Sequence, residues 1–266
     1  MKIYDCFTFF NEVEMLKFRI NYLKDIVDYF VIVEAGQTHT GIFRSQVFSI
    51  DGFPAEKIRY YFISFPEELP VPQYVSLGGD ARNTAAWQRE NYQRERLIDG
   101  LYDAAPEDIV IVSDVDEIPS RDALNQIKTG ESLEKHKILS LSMDLFRYSI
   151  RGYCTWGDGR KYRWTHPKVT TRKNLQCTNS IRLAAADKTI EDGGWHFSYF
   201  GGTDRIKNKL KAFAHTEMNQ DSVLNKVDEC VGYTLDLFSD SVVLADTYRG
   251  NLPRLIFSEE FRHFFE

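Results

Sequence analysis

Hydrophobic positions in this chain fall into short continuous runs separated by stretches of helical spacing, and the order of the two predicts an α/β fold. Residues 2–10 form a first strand rich in Ile, Tyr, Cys and Phe. Across 12–23, Val13, Leu16, Ile20 and Leu23 recur at helical spacing, with Asn11 placed as the cap. Residues 28–34 are a second buried run that ends in an acid, Glu34. Strand, helix and strand in this order predict a right-handed unit and a parallel sheet. A third strand follows over 58–64. Residues 65–80 carry Pro66, Pro70, Pro72, Gly78 and Gly79, and predict a long irregular loop of the kind that covers a site or moves. The longest helical pattern runs over 82–102, with Ala86, Trp87, Leu97, Ile98 and Leu101 on its buried face. Arg82, Arg89 and Arg96, spaced by sevens, share one stripe of it. Such a stripe is a solvated face unless one arginine near an end meets an anionic ligand.

The sharpest feature comes next. Ile109-Val110-Ile111-Val112 is a branched apolar run suited to a strand covered on both faces, and it stops at Asp114, Asp116 and Glu117. Pro119 and Ser120 then open a helix, with Ser120 as its cap. Acids are thereby delivered to the C-terminal edge of a strand, where open α/β sheets bind their ligands. If the strand pattern persists, Asp114 and Asp116 point the same way and can face one divalent cation. The bland alternative is a solvated acidic turn with a helix cap.

Farther on, residues 136–153 alternate in strand fashion. From Ser149 to Trp164 the chain is crowded with aromatics and glycines, among them Tyr153, Trp156, Gly157, Gly159, Tyr162 and Trp164. Rings on a loop-rich surface suit the apolar faces of sugars, and suit ordinary packing equally well. Residues 193–202 form a short strand with glycines on both sides. Thr203 is placed to cap a helix carrying Lys207, Lys209 and Lys211, and residues 221–266 read as helices and an aromatic tail.

Composition narrows the classes. The 266 residues, 43% of them hydrophobic, are enough for a substantial core without disulfide or metal staples. A formal net charge of -6 argues against a nucleic-acid binder that relies on a basic surface. Cys6, Cys154, Cys177 and Cys230 are widely spaced and form no CxxC pair, so reduced thiols are expected rather than a zinc site. No stretch is long and apolar enough to span a bilayer and no signal peptide is evident, which predicts a soluble, cytoplasmic protein. No repeat or linker breaks the chain, so one domain is expected over 1–266.

Aspartates after a buried strand, a later histidine and nearby lysines are the parts needed to hold a metal-bound diphosphate, with Mn2+ or Mg2+ as the cation suited to them. Glycines 193, 194, 201 and 202 would let backbone approach phosphates, and a lysine would neutralise a leaving diphosphate. Asp114-Val115-Asp116 resembles the DxD motif of glycosyltransferases of the GT-A fold, a Rossmann-like α/β fold with a central, mostly parallel sheet flanked by helices. Trp195-His196-Phe197-Ser198-Tyr199-Phe200-Gly201-Gly202 and its trailing lysines are similar to the segment by which several such enzymes complete the metal and diphosphate site.

Further segments, Tyr4-Asp5-Cys6-Phe7-Thr8-Phe9-Phe10-Asn11-Glu12, 28–34, Thr38-His39-Thr40-Gly41, 113–119 and Lys211-Ala212-Phe213-Ala214-His215, together resemble glycosyltransferase family 17, the family of the β-1,4-mannosyl-glycoprotein 4-β-N-acetylglucosaminyltransferase. The resemblance implies inverting transfer of N-acetylglucosamine from UDP-GlcNAc to a sugar hydroxyl. It divides the domain into a nucleotide-binding half, 1–118, and an acceptor-side half with the C-terminal helices, 119–266. Under it, Asp116 coordinates the metal, Asp114 shares it or holds the ribose, and His196 is a further ligand. Lys207 or Lys209 stabilises departing UDP, and Glu34 with Arg82 or Arg89 contacts uridine or diphosphate. Asp192 is the expected base, Glu191 the second choice, with Glu217 and Asp144 as further candidates. Two rival readings remain open at the level of sequence. One is a phosphatase of the haloacid dehalogenase type using Asp114 and Asp116, although Glu117 stands where that motif has a small hydroxyl residue. The other is a sugar-binding module without turnover.

Overall fold

The computed structural model describes residues 1–70, 84–129, 131–239 and 241–266. Eleven strands among these residues join one sheet: β1 (Ile3–Phe9), β2 (Tyr29–Ala35), β3 (Ile58–Ile63), β4 (Ile109–Asp114), β5 (Glu117–Pro119), β6 (Ile138–Arg147), β7 (Tyr153–Trp156), β8 (Arg163–Trp164), β9 (Lys168–Thr171), β10 (Lys188–Ser198) and β11 (Val242–Ala245). Their order is β11-β7-β6-β9-β4-β1-β2-β3, with β10 pairing β5 and β6, and β8 pairing β6. Parallel pairing holds β3, β2, β1 and β4 together and joins β10 to β6, whereas the remaining pairs are antiparallel. The expected α/β architecture is present, with its parallel character concentrated in the first half. The division at 118/119 falls inside β5, and the sheet continues across it.

Helix α1 (Val13–Leu23) and α3 (Arg121–Lys128) cover one face, and α2 (Ala85–Glu95) covers the other. Strand parity sorts the core. Ile3, Phe7, Ile109 and Ile111 pack towards α1 and α3, while Tyr4, Cys6, Val110 and Val112 pack towards Leu97 and Leu101, just beyond α2. Phe261 and Phe265 from the aromatic tail close the first face against Phe18, and Phe265 also packs on Phe197. Both halves of the chain therefore share one core.

Local expectations meet the structure unevenly. Ser120 caps α3, its Oγ accepting from the Ala123 N–H at 3.1 Å. Glu12 rather than Asn11 stands at the head of α1, and its carboxylate folds back to accept the N–H groups of Phe10 and Asn11. The 82–102 helix is shorter than expected. After Glu95 the chain tightens into a 3-10 turn, Arg96–Leu101, in which Gly100 lies against Val31 with no room for a Cβ. Residues 136–153 are not one strand either, since β6 turns at Tyr148, whose φ is 69°, and returns as β7. After α4 (Glu131–Lys135) and α5 (Thr178–Leu183) comes α6 (Thr203–Ala212), which starts from Gly202, with no side-chain cap from Thr203. The four cysteines are free. Among the described residues no helix is long and apolar enough to cross a membrane.

Candidate active site

A cavity of about 580 Å3 opens at the C-terminal ends of β1, β2 and β4 and extends across to β6 and β10. Its formation follows from the turn after β4. Arg19 of α1, fully buried, makes six hydrogen bonds: two to the Asp5 carboxylate at 2.6 and 2.8 Å, one to Ser113 Oγ, and three to the carbonyls of Asp114, Val115 and Glu117. One guanidinium thus ties the strand end to the turn that carries the acids. Strand β5 then pairs antiparallel with β10, placing His196 opposite Glu117, and the Phe197 N–H donates to the Asp116 carbonyl at 2.9 Å. His196 Nε2 comes to 3.5 Å from Asp116 Oδ1.

The two aspartates take different partners. Strand β4 ends at Asp114, so Asp114 keeps the parity of Val112 and points towards α2 and α5. There its two oxygens accept from Arg94 at 2.7 Å and Arg182 at 2.9 Å. Burial alone would raise the Asp114 carboxyl, but these guanidinium groups outweigh it and hold the group well below the usual carboxylate range. Arg182 also clasps Glu117 through both oxygens, at 2.6 and 2.7 Å. Asp116 lies in the turn beyond the strand, with Lys209 Nζ of α6 3.0 Å from its Oδ2. Here too burial pulls the carboxyl up and the Lys209 ammonium, helped by His196, brings it well down. The Lys209 amine is correspondingly raised, Asp116 and Glu12 overcoming its burial.

Asp116 and His196 fit a small divalent cation. Bonds of about 2.1 Å allow two ligands of one ion to stand up to about 4.2 Å apart, and the observed 3.5 Å lies inside that span. Among the described residues no group of three or more His, Cys, Asp or Glu gathers at one ion position. Among the described residues the buried Nδ1 of His196 has no hydrogen-bond partner, and its ring rests on Trp164 at 4.6 Å between centroids.

Of the residues expected from sequence, Asp114, Asp116, His196 and Lys209 line the cavity. Glu34 lies beneath it, fully buried, accepting from the Val47 and Phe48 N–H groups and the Tyr60 hydroxyl, which is a structural role. Arg89 donates to the His39 carbonyl, and Lys207 pairs with Asp228 on the surface. Neither is on the cavity wall. Arg82 is outside the described residues. Glu191 and Asp192 are off the wall as well, Asp192 being 84% exposed and 3.2 Å from Arg163. Gly193 and Gly194 serve the sheet, since a Cβ on either would strike Leu141 or the Ile118 carbonyl. Sequence reasoning missed Arg94, Arg182, Gln93 and His166. Only Arg94 carried a signal, the i,i+4 pair with Glu90 at 3.0 Å.

Among solved structures, this chain is similar to Staphylococcus aureus TarS (residues 1–349), with 12% identity, 89% of this chain and 71% of that chain covered, and a TM-score of 0.37. It is also similar to 4-diphosphocytidyl-2C-methyl-D-erythritol synthase, with 15% identity, 71% and 89% covered, and a TM-score of 0.34. Likeness this loose carries no argument about either site. No curated protein matches the chain. The family model of glycosyltransferase family 17 matches residues 1–240, which sets the phosphatase reading aside. The chain belongs to glycosyltransferase family 17.

Proposed function

We propose that this glycosyltransferase moves N-acetylglucosamine from UDP-GlcNAc to a hydroxyl of a glycan, of the β-1,4-mannosyl type or another, with inversion at the anomeric carbon and in a metal-dependent way. The observation that carries the reading is the meeting of Asp116, His196 and Lys209 in one cavity at the ends of the parallel strands. Its volume of about 580 Å3 suits a nucleotide sugar. Thr8, Phe9, Ala35, Gln37 and Thr38 floor the end over β1 and β2 and form the nucleoside side. Gln93 stiffens that floor, donating to the Val33 carbonyl at 2.9 Å and meeting His39 Nε2 at 2.8 Å.

Mn2+ or Mg2+ on Asp116 and His196 would neutralise the diphosphate. Lys209 supplies a fixed positive charge for departing UDP. Asp114 acts through Arg94 and Arg182, whose positions on the wall it sets. Incubation with UDP-GlcNAc and Mn2+ tests the proposal. Slow UDP release is expected, and Asp116→Ala should abolish it while leaving the urea unfolding midpoint within reach of wild type. A wild-type protein that binds no UDP-sugar by calorimetry sinks the transferase reading. Binding without release in any acceptor mixture leaves a sugar-binding module.

A further inference from the structure

Inversion requires a group that removes the acceptor's proton from the side opposite the leaving diphosphate. The acids on the cavity wall are Glu12, Glu90, Asp114 and Asp116, and all are committed. Glu12 accepts two backbone N–H groups, Glu90 is held by Arg94, Asp114 by two arginines, and Asp116 by Lys209 beside His196. Carboxylates clamped by cations are poor bases. Imidazoles remain, at His39, His166, His196 and His215. His39 is bonded to Gln93 over the nucleoside side, and His196 belongs to Asp116. His215 is tied to Glu217 at 2.7 Å and set edge-on to Trp87 of α2, on the flank where α6 ends. His166 keeps solvent access at the cavity wall although neighbouring protein crowds its ring, and among the described residues neither of its ring nitrogens has a hydrogen-bond partner.

We infer that His166 is the general base of this glycosyl transfer, a step that rests on the inverting reading above. Its place follows from a row of contacts along the cavity. Lys209 touches Asp116, Asp116 faces His196, the His196 ring lies 4.6 Å from that of Trp164, and the Trp164 ring lies 4.3 Å from that of His166. The leaving-group cation stands at one end of the row and the free imidazole at the other, as displacement through the anomeric carbon demands. The segment is firmly held: Trp164 Nε1 donates to Glu117 at 2.5 Å, and Lys168 Nζ donates to the carbonyls of Thr165 and His166. The charged groups facing the ring are Arg182, Glu117, Lys168 and Asp114. Burial and then Arg182 push its pKa below the ordinary 6.5, so the imidazole is unprotonated at neutral pH. In the step, the acceptor oxygen bonds to C1 as its proton passes to an imidazole nitrogen of His166. The C1–O bond to the diphosphate breaks and its electron pair leaves with UDP; the imidazolium then returns the proton to water.

Azide tests this directly, because it attacks C1 without a proton to lose. His166→Ala and His166→Gln should slow UDP release from UDP-GlcNAc by roughly 100-fold or more, with UDP affinity by calorimetry unchanged. Sodium azide should restore release in both variants, with β-N-acetylglucosaminyl azide as product. Either variant retaining most of the wild-type rate, losing UDP affinity in step with rate, or failing to respond to azide overturns the assignment. If wild type itself releases no UDP, the transfer reading falls and takes this one with it. If wild type turns over and the variants do too, only the base is wrong.

Discussion

Replacing Arg19 by methionine removes the guanidinium that ties the acid-bearing turn to the sheet. Both Arg19 and Asp5 have fully buried side chains, 2.6 Å apart at their nearest atoms. The variant leaves the Asp5 carboxylate in the core without its cation, and leaves Ser113 Oγ and three carbonyls without their donor. Breaking a buried pair by deleting one partner costs about 3–5 kcal/mol. For a chain of this size that lowers Tm by about 10 °C. Urea unfolding followed by far-UV circular dichroism measures the loss directly. Removing both charges, in Asp5→Leu with Arg19→Met, should cost less than the single change by more than about 1 kcal/mol, since no buried charge is then stranded. The turn should also loosen, and displacement of Asp116 should lower turnover by at least about tenfold even where the variant remains folded. An Arg19→Met protein within 1 kcal/mol of wild type (about the error of one such measurement) would refute the reasoning, and so would a double variant as unstable as the two singles summed.

Other expectations follow from the packing of β10 and β9. Gly194, at φ 142°, has no space for a Cβ, which would collide with the Ile118 carbonyl and lie 2.9 Å from Pro119 Cα. Gly194→Ala should therefore cost about 2–5 kcal/mol by urea unfolding, whereas Gly157→Ala, with nothing within 4 Å, should stay within about 0.5 kcal/mol. Burial, reinforced by Arg182, lowers the Lys168 amine from 10.5 to about 8. Between those values the unfolded chain binds more protons than the folded one, so stability should rise with pH across that window. Lys168→Met should flatten the rise in unfolding free energy measured over that range, and an unchanged slope would show that the lysine is not the group responsible.

How much was legible in the sequence differs from element to element. Strand β4 and its acids were plain because branched apolar residues and a sudden run of carboxylates are local signals. The direction of Asp116 was not plain. Parity fixes side chains only while a strand continues, and β4 stops at Asp114, so the second acid follows the turn that Arg19 holds. Glu34, expected to contact uridine or diphosphate, is a buried anchor for the loop after β2 because Tyr60 and the Val47 and Phe48 amides converge on it. The glycines at 193 and 194 suggested phosphate contacts, but the close approach they permit is that of β10 to β5 and β6.

The sequence by itself determined the alternation of strands and helices, the edge where acids emerge, and the family to which those segments belong. Which side chains meet was settled only by tertiary pairing. Arg94 and Arg182 reach Asp114 from 20 and 68 positions away, and β5 against β10 sets His196 beside Asp116. The antiparallel register of β9 on β4, Val112 opposite Lys168, carries His166 past the strand end to the cavity. The physical reason is that periodicity encodes which face a residue takes within its own element, whereas a site is made of residues whose separation along the chain leaves no local trace.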